Sequence, residues 1–188
     1  MGETFRQTVH LLMGLLGAAI ILRLDDRWAF VFVSAALVVL FLLCDAFTRG
    51  YDVPVLSRVM DESERTGKIP LKGGIAYAAG ALFCLAVFGR EYTAVGLVTV
   101  GVLDSIATLV GLRFGRHILR GEKSLEGTVA GAAAAALALA FLIPWWAAAA
   151  VAGIAGVIEA FSPLDDNVAV QVGVCVVLAV LEVGVGFV

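Results

Sequence analysis

The sequence predicts an all-α membrane protein, crossing the bilayer about seven times with its N-terminus in the cytoplasm. Three observations carry that expectation. Mean hydropathy is +1.01 and 61% of the 188 residues are hydrophobic, more apolar surface than one soluble domain of this size can bury. Runs of sixteen or more mostly apolar residues recur along the chain, near the length a helix needs to cross a hydrocarbon core of roughly 30 Å at about 1.5 Å per residue. The cations, finally, are grouped rather than scattered. The runs are continuously apolar instead of alternating, which argues against a barrel.

In order, the runs lie near 9–24, 28–47, 74–90, 92–112, 126–143, 146–161 and 168–187. The first follows MGETFR but ends in RLDDRW rather than in small residues, so it reads as a retained helix and not as a cleaved signal. Arg6, the segment 45–73 (Arg49, Arg58, Arg65, Lys68, Lys72) and the segment 113–125 (Arg113, Arg116, Arg120, Lys123) together hold ten of the thirteen Lys and Arg. Placing these on one side puts the N-terminus in the cytoplasm. It also places Trp28, Trp145 and Trp146 at the outer interface, where amphipathic rings are at home. The whole chain, 1–188, then forms a single transmembrane catalytic domain.

Residues 48–73 form the one soluble piece of any size, a cytoplasmic loop. Within it, PVLSRVMDESER (54–65) sets Val55, Leu56, Val59 and Met60 opposite Arg58, Asp61, Glu62 and Arg65, with Pro54 suited to a first turn. That pattern fits an amphipathic helix on the membrane surface, or equally a solvated linker helix. Cys44, Cys84 and Cys175 occupy different apolar runs without CxxC spacing, which fits neither a disulfide framework nor a zinc site. A net charge of −3 gives no reason to expect a nucleic-acid partner.

The polar residues inside the apolar runs point to chemistry. Asp104 lies nine residues before Arg113, on the order of 13 Å from the cytoplasmic boundary. An intramembrane carboxylate is costly unless paired, protonated, cation-bound or facing a wet cavity, so a functional role is the default expectation. Gly101, Asp104, Thr108 and Gly111 share its face, a stripe that admits either a ligand or a neighbouring helix. Arg6, Gln7 and His10 form a second stripe that continues to Gly14 and Gly17; His10 there could simply be an interhelical donor. In EAFSPLDDN (159–167), Ser162 with Pro163 and Asp165 reads as N-cap, first-turn proline and capping-box acid of the last helix, leaving Glu159, Asp166 and Asn167 without a structural duty.

RGEKSLEGTVAG (120–131) leads from the cytoplasm into the fifth run, so its backbone N–H groups and positive helix end face the same side as Arg113, Arg116 and Lys123. Gly127 and Gly131 fit that phosphate-attracting turn, or a close helix contact of the Gly-x-x-x-Gly kind. Cations that could hold polyphosphate thus accompany carboxylates that could hold Mg²⁺, which typically joins one or two carboxylates to phosphate oxygens. The reading is a site where a soluble nucleotide meets a lipid.

These residues resemble a known family. DSIATLVGLRFGRHIL (104–119), then KSLEGTVAG (123–131), then EAFSPLDDN, with RQTVHLLMG (6–14) at the start, are similar to the signature of the CTP-dependent lipid kinases: polyprenol and dolichol kinases, phytol kinase and yeast-type diacylglycerol kinase, relatives of the phosphatidate cytidylyltransferases. The likeness spans nearly the whole chain. Gln7 departs from it, standing where the family has a second basic residue, and the chain starts almost at the motif, as a minimal catalytic core would.

The resemblance implies Mg²⁺-dependent transfer of the terminal phosphate of CTP to the hydroxyl of a membrane isoprenoid alcohol or diacylglycerol. Carried onto matching positions, it implies Asp104, Glu126 and Asp166 as metal ligands. Arg6, Arg113, Arg116, Lys123, Ser124, Gly127 and Asn167 would bind CTP, with Asp104, Lys123 and Glu159 at the chemistry. Partners are then CTP, the lipid alcohol and the membrane, and the Gly- and Ala-rich fifth and sixth helices could support a homodimer. The active site would face the cytoplasm, from the plasma membrane in a prokaryote or the endoplasmic reticulum in a eukaryote. Two alternatives stand beside this: a CTP:phosphatidate cytidylyltransferase, making CDP-lipid and pyrophosphate, and a non-enzymatic seven-helix carrier or scaffold. A carrier usually shows repeated halves, and none is evident.

Overall fold

The apolar runs fold as helices, arranged around one long central element. A computed structural model describes residues 2–51 and 70–185. The amphipathic segment expected at 54–65 lies outside the described residues, as do Arg58, Arg65 and Lys68. Among those described, six helices occur: α1 (Gly2–Arg23), α2 (Asp26–Thr48), α3 (Lys72–Phe114), α4 (Leu125–Leu139), α5 (Trp145–Phe161) and α6 (Asp166–Val180). A short antiparallel hairpin, β1 (Ile118–Arg120) and β2 (Lys123–Ser124), stands between α3 and α4.

Three of these helices, α1, α2 and α3, are long and apolar enough to cross a membrane. The other three have 15, 17 and 15 residues, or about 22–26 Å of helix, short of the roughly 30 Å hydrocarbon thickness. Large apolar side chains stay exposed on the outer helices: Phe30, Phe32, Phe41 and Leu42 of α2 are all at least 40% exposed. Contiguous exposed apolar faces of this size are compatible with a protein that lives in lipid.

The runs at 74–90 and 92–112 belong to one element, α3, broken at Gly89. That residue sits at φ 82°, ψ 174°, a conformation outside the helix that glycine alone adopts without strain. The break is braced from the α1–α2 connection and the start of α2: the Arg90 guanidinium donates to the Leu24 carbonyl and lies 3.5 Å from Asp26. Beyond it, α3 is the core. Ala94, Val95, Leu97, Val98, Val100 and Leu103 are at most 5% exposed, enclosed by α1, α4 and α6.

Small residues let the helices close in. A Cβ on Gly127 would lie 2.5 Å from the Ala107 carbonyl oxygen, and one on Gly131 2.6 Å from that of Leu103. The Gly-x-x-x-Gly pair of α4 is therefore a packing device against α3. On the other flank, a Cβ on Gly14 of α1 would meet the Leu97 carbonyl at 2.8 Å.

Two local expectations are corrected. Segment 113–125 is not plain loop: Gly121, at φ 58°, turns a hairpin that pairs Ile118 with Ser124 and Arg120 with Lys123. The last helix is capped by Asp165, whose Oδ1 accepts from the Asn167 N–H, and begins at Asp166. Ser162 instead follows the end of α5, its hydroxyl accepting from the Leu164 N–H. Pro163 and Leu164 continue the connection in non-helical conformation, so the cap falls to the acid immediately before the helical run.

Candidate functional site

Lys123 organises the site. The tight hairpin turns it back toward α5 and α6, where its Nζ lies 2.7 Å from Asp166 Oδ2 and 3.0 Å from Glu159 Oε1, and it also donates to the Glu159 carbonyl. Glu159 is only 4% exposed. Its second carboxylate oxygen accepts from the Thr128 hydroxyl at 3.3 Å, so the buried charge has the partners it requires. Burial alone would lower the pKa of Lys123, but its hydrogen bond to Asp166 and the charge of Glu159 outweigh that and hold it above the ordinary lysine value.

These three residues share a cavity of about 430 Å³ with Arg6 of α1, Asp104 and Thr108 of α3, Arg120 and Glu122 of the hairpin, Ser124 and Thr128. Segments 160 residues apart in the chain, from Arg6 to Asp166, thereby meet at one place. The cavity holds three basic side chains, Arg6, Arg120 and Lys123, and four acidic ones, Asp104, Glu122, Glu159 and Asp166. Asp104 contributes a carboxylate with 30% side-chain exposure, and His10 Nε2 stands 3.6 Å behind it. Ser124 is 3% exposed; its hydroxyl caps α4 by accepting from the Gly127 N–H at 3.2 Å.

Of the residues expected from the sequence, the cavity brings together Arg6, Asp104, Lys123, Ser124, Glu159 and Asp166. It does not include Glu126, Arg113, Arg116, Gly127 or Asn167. Glu126 accepts from the backbone N–H groups of Arg116 and His117 and sits 2.6 Å from the His117 ring. That carboxylate fastens the turn after α3. Arg113 and Arg116 are exposed at the end of α3. Gly127 is consumed by helix packing, and the Asn167 amide donates to Asp165 at 3.1 Å.

Arg120, Glu122 and Thr128 join the cavity without being site residues in the sequence reading. Arg120 reaches the Phe161 carbonyl at 2.6 Å, and Thr128 is one helical turn beyond Ser124 in α4. The Gly121-centred turn was the signal for the first, since Gly followed by one residue between short strands marks a hairpin.

A search of the curated proteins finds the uncharacterized protein MJ1137 of Methanocaldococcus jannaschii, 31% identical over 143 residues, covering 74% of this chain and 72% of the relative. The chain belongs to the family of that archaeal protein. No family model and no solved structure matches the chain.

The donor set suits a divalent cation together with phosphate. Among the described residues no three or more His, Cys, Asp or Glu side chains are grouped to hold a metal unaided. Mg²⁺, however, usually takes only one or two carboxylates and fills its remaining positions with phosphate oxygens and water. Asp104 and Asp166 supply two carboxylates to one cavity, beside basic side chains for phosphate.

Proposed function

We propose that the protein is an integral-membrane lipid kinase, moving the terminal phosphate of CTP to the hydroxyl of a lipid alcohol of the polyprenol, dolichol or diacylglycerol kind. One observation carries the reading: Asp104, Lys123 and Asp166, from three motifs far apart in the chain, line a single cavity. Donor and acceptor identities rest on the family resemblance. In this reading the two arms of α3 cross the bilayer, and the shorter helices α4, α5 and α6 cross it too where the bilayer thins around them, giving seven crossings in all with α1 and α2 and placing the N-terminus and the cavity on the cytoplasmic side. The grouping of cations near Arg6, Arg49 and Arg113–Lys123 supports that orientation.

Phosphoryl transfer asks the protein for positioning and charge neutralisation more than for covalent help. Arg6, Arg120 and Lys123 would hold phosphate oxygens as CDP departs and the new phosphate–oxygen bond to the alcohol forms. Asp104 and Asp166 would hold Mg²⁺, which when bound neutralises charge on the transferred phosphate. Glu159 is engaged by Lys123 and Thr128 and serves to aim the lysine. Of Asp104 and Glu159, the two acids carried over as candidates to accept the alcohol's proton, that favours Asp104, through a carboxylate oxygen that Mg²⁺ would leave open.

Purified protein incubated with CTP labelled at either phosphate end, Mg²⁺ and, in separate reactions, a panel of lipid alcohols or phosphatidate tests the reading. The γ-label is expected on the lipid. An α-label on a lipid phosphate would make the protein a cytidylyltransferase, and lipid movement without nucleotide turnover would make it a carrier.

A further inference from the structure

We infer that His10 is the positioning residue for Asp104, its Nε2–H holding the carboxylate toward the cavity; this rests on the reading of Asp104 as a metal-binding carboxylate. His10 Nε2 is buried and has no hydrogen-bond partner among the described residues. Asp104 Oδ2 lies 3.6 Å away, just beyond hydrogen-bond range. An orphaned buried nitrogen costs free energy that a small turn of the partly exposed carboxylate recovers.

The surroundings fix the two side chains toward one another. One turn before His10, the Ser105 hydroxyl donates to the Gln7 carbonyl at 2.9 Å. One turn after it, Gly14 packs so tightly on Gly101 that a Cβ would fall 3.0 Å from that Cα. The imidazole packs edge-on against Tyr77, with ring centroids 5.3 Å apart, and the Tyr77 hydroxyl is itself anchored to the Leu97 carbonyl at 2.9 Å. Contacts on both sides of the pair clamp α1 to α3, and the ring has little freedom to turn elsewhere. With its hydrogen on Nε2, His10 is a donor aimed at Asp104, the carboxylate that lies within 4 Å of it among the described residues. Carboxylates that bind metal are commonly oriented by such a donor behind them, and loss of the donor costs about 10- to 100-fold in metal affinity.

The test uses Mn²⁺ alone, bound to the purified full chain and followed by electron paramagnetic resonance. His10→Phe keeps a ring but removes the donor; His10→Gln keeps an amide donor near the same place. His10→Phe should weaken Mn²⁺ binding about 10-fold or more, with His10→Gln restoring most of it and the KM for lipid unchanged in both. In an Asp104→Asn background, His10→Phe should have no further effect on Mn²⁺, and should His10→Phe fold poorly, the His10→Gln variant still reads the role of the donor. Equal Mn²⁺ affinity in wild type and His10→Phe, a further loss in the Asp104→Asn background, or no Mn²⁺ binding by wild type would overturn the inference. Absence of lipid phosphorylation with these Mn²⁺ results intact would instead sink the kinase reading and leave His10 in its role.

Discussion

The Lys123 ammonium lies 2.7 Å from the Asp166 carboxylate, a pair separated by 43 residues in the chain. It lies 3.0 Å from Glu159 as well. One side chain thus ties the hairpin to both α5 and α6. Removing the lysine would leave Glu159, 4% exposed, as a buried charge without its counter-ion. Full burial would make that cost about 3–5 kcal/mol, and less here because the Lys123 side chain keeps 28% exposure.

Lys123→Met should therefore lower both thermal stability and phosphotransfer. Adding Glu159→Gln removes the stranded charge and should recover stability but not activity. The double-mutant cycle, read from Tm in detergent, should return a coupling of about 1 kcal/mol or more, within the range measured for contacting residues. Additive effects would mean that the contact is of no energetic consequence.

Asp104 and Asp166 face the cavity while Glu126 is fastened to the turn at Arg116 and His117. Asp104→Asn and Asp166→Asn should each lower phosphotransfer by at least about 10²-fold, the scale of losing an electrostatic catalytic group, with expression and membrane insertion intact. Glu126→Gln should leave the proposed dependence on Mg²⁺ unchanged and lower Tm. Titrating activity against Mg²⁺ for all three separates the two classes.

The glycines of α4 make a different prediction. Alanine at Gly127 or Gly131 would drive a Cβ to 2.5 or 2.6 Å from a backbone carbonyl of α3. Neither carbonyl can yield without moving its helix, and overpacking of this kind costs about 1–3 kcal/mol. Gly153 of α5 has open space around its Cβ position, so Gly153→Ala should be neutral or stabilise by up to about 1 kcal/mol through helix propensity. Melting temperatures of the three variants check the contrast.

What the sequence disclosed followed from strong, local physics. The apolar runs announce helices, the cost of a carboxylate inside one of them marks Asp104, and the polar motifs at the ends of the neighbouring runs mark Lys123 and Asp166. What it concealed depends on tertiary geometry. Residues 74–112 look like two separate spans because Arg90 and Glu91 interrupt the apolar pattern, and two helical arms do meet there; what the pattern leaves open is the position of the break, which falls at Gly89 and not at the charged pair. Glu126 has the same local credentials as Glu159, both acids beside a motif; only the folded chain shows that one closes a turn and the other meets Lys123. Gly127 fitted phosphate binding and helix packing alike until Ala107 appeared beside it.

The raised pKa of Lys123 carries a consequence for pH. The residue sits in β2, ahead of α4, where its hydrogen bond to Asp166 and the charge of Glu159 prevail over burial. A lysine whose folded pKa exceeds its ordinary value of 10.5 favours the folded state wherever the unfolded chain would also be protonated. That contribution is fully present below about pH 10.4 and is lost as pH rises through the folded value. Between pH 7 and 10 the Tm difference between wild type and Lys123→Met should accordingly stay flat. Above pH 10.5 wild type should lose stability faster, and the two curves should converge. A gap that widens with alkaline pH would mean that Lys123 is held less firmly by Asp166 and Glu159 than a free lysine is by water.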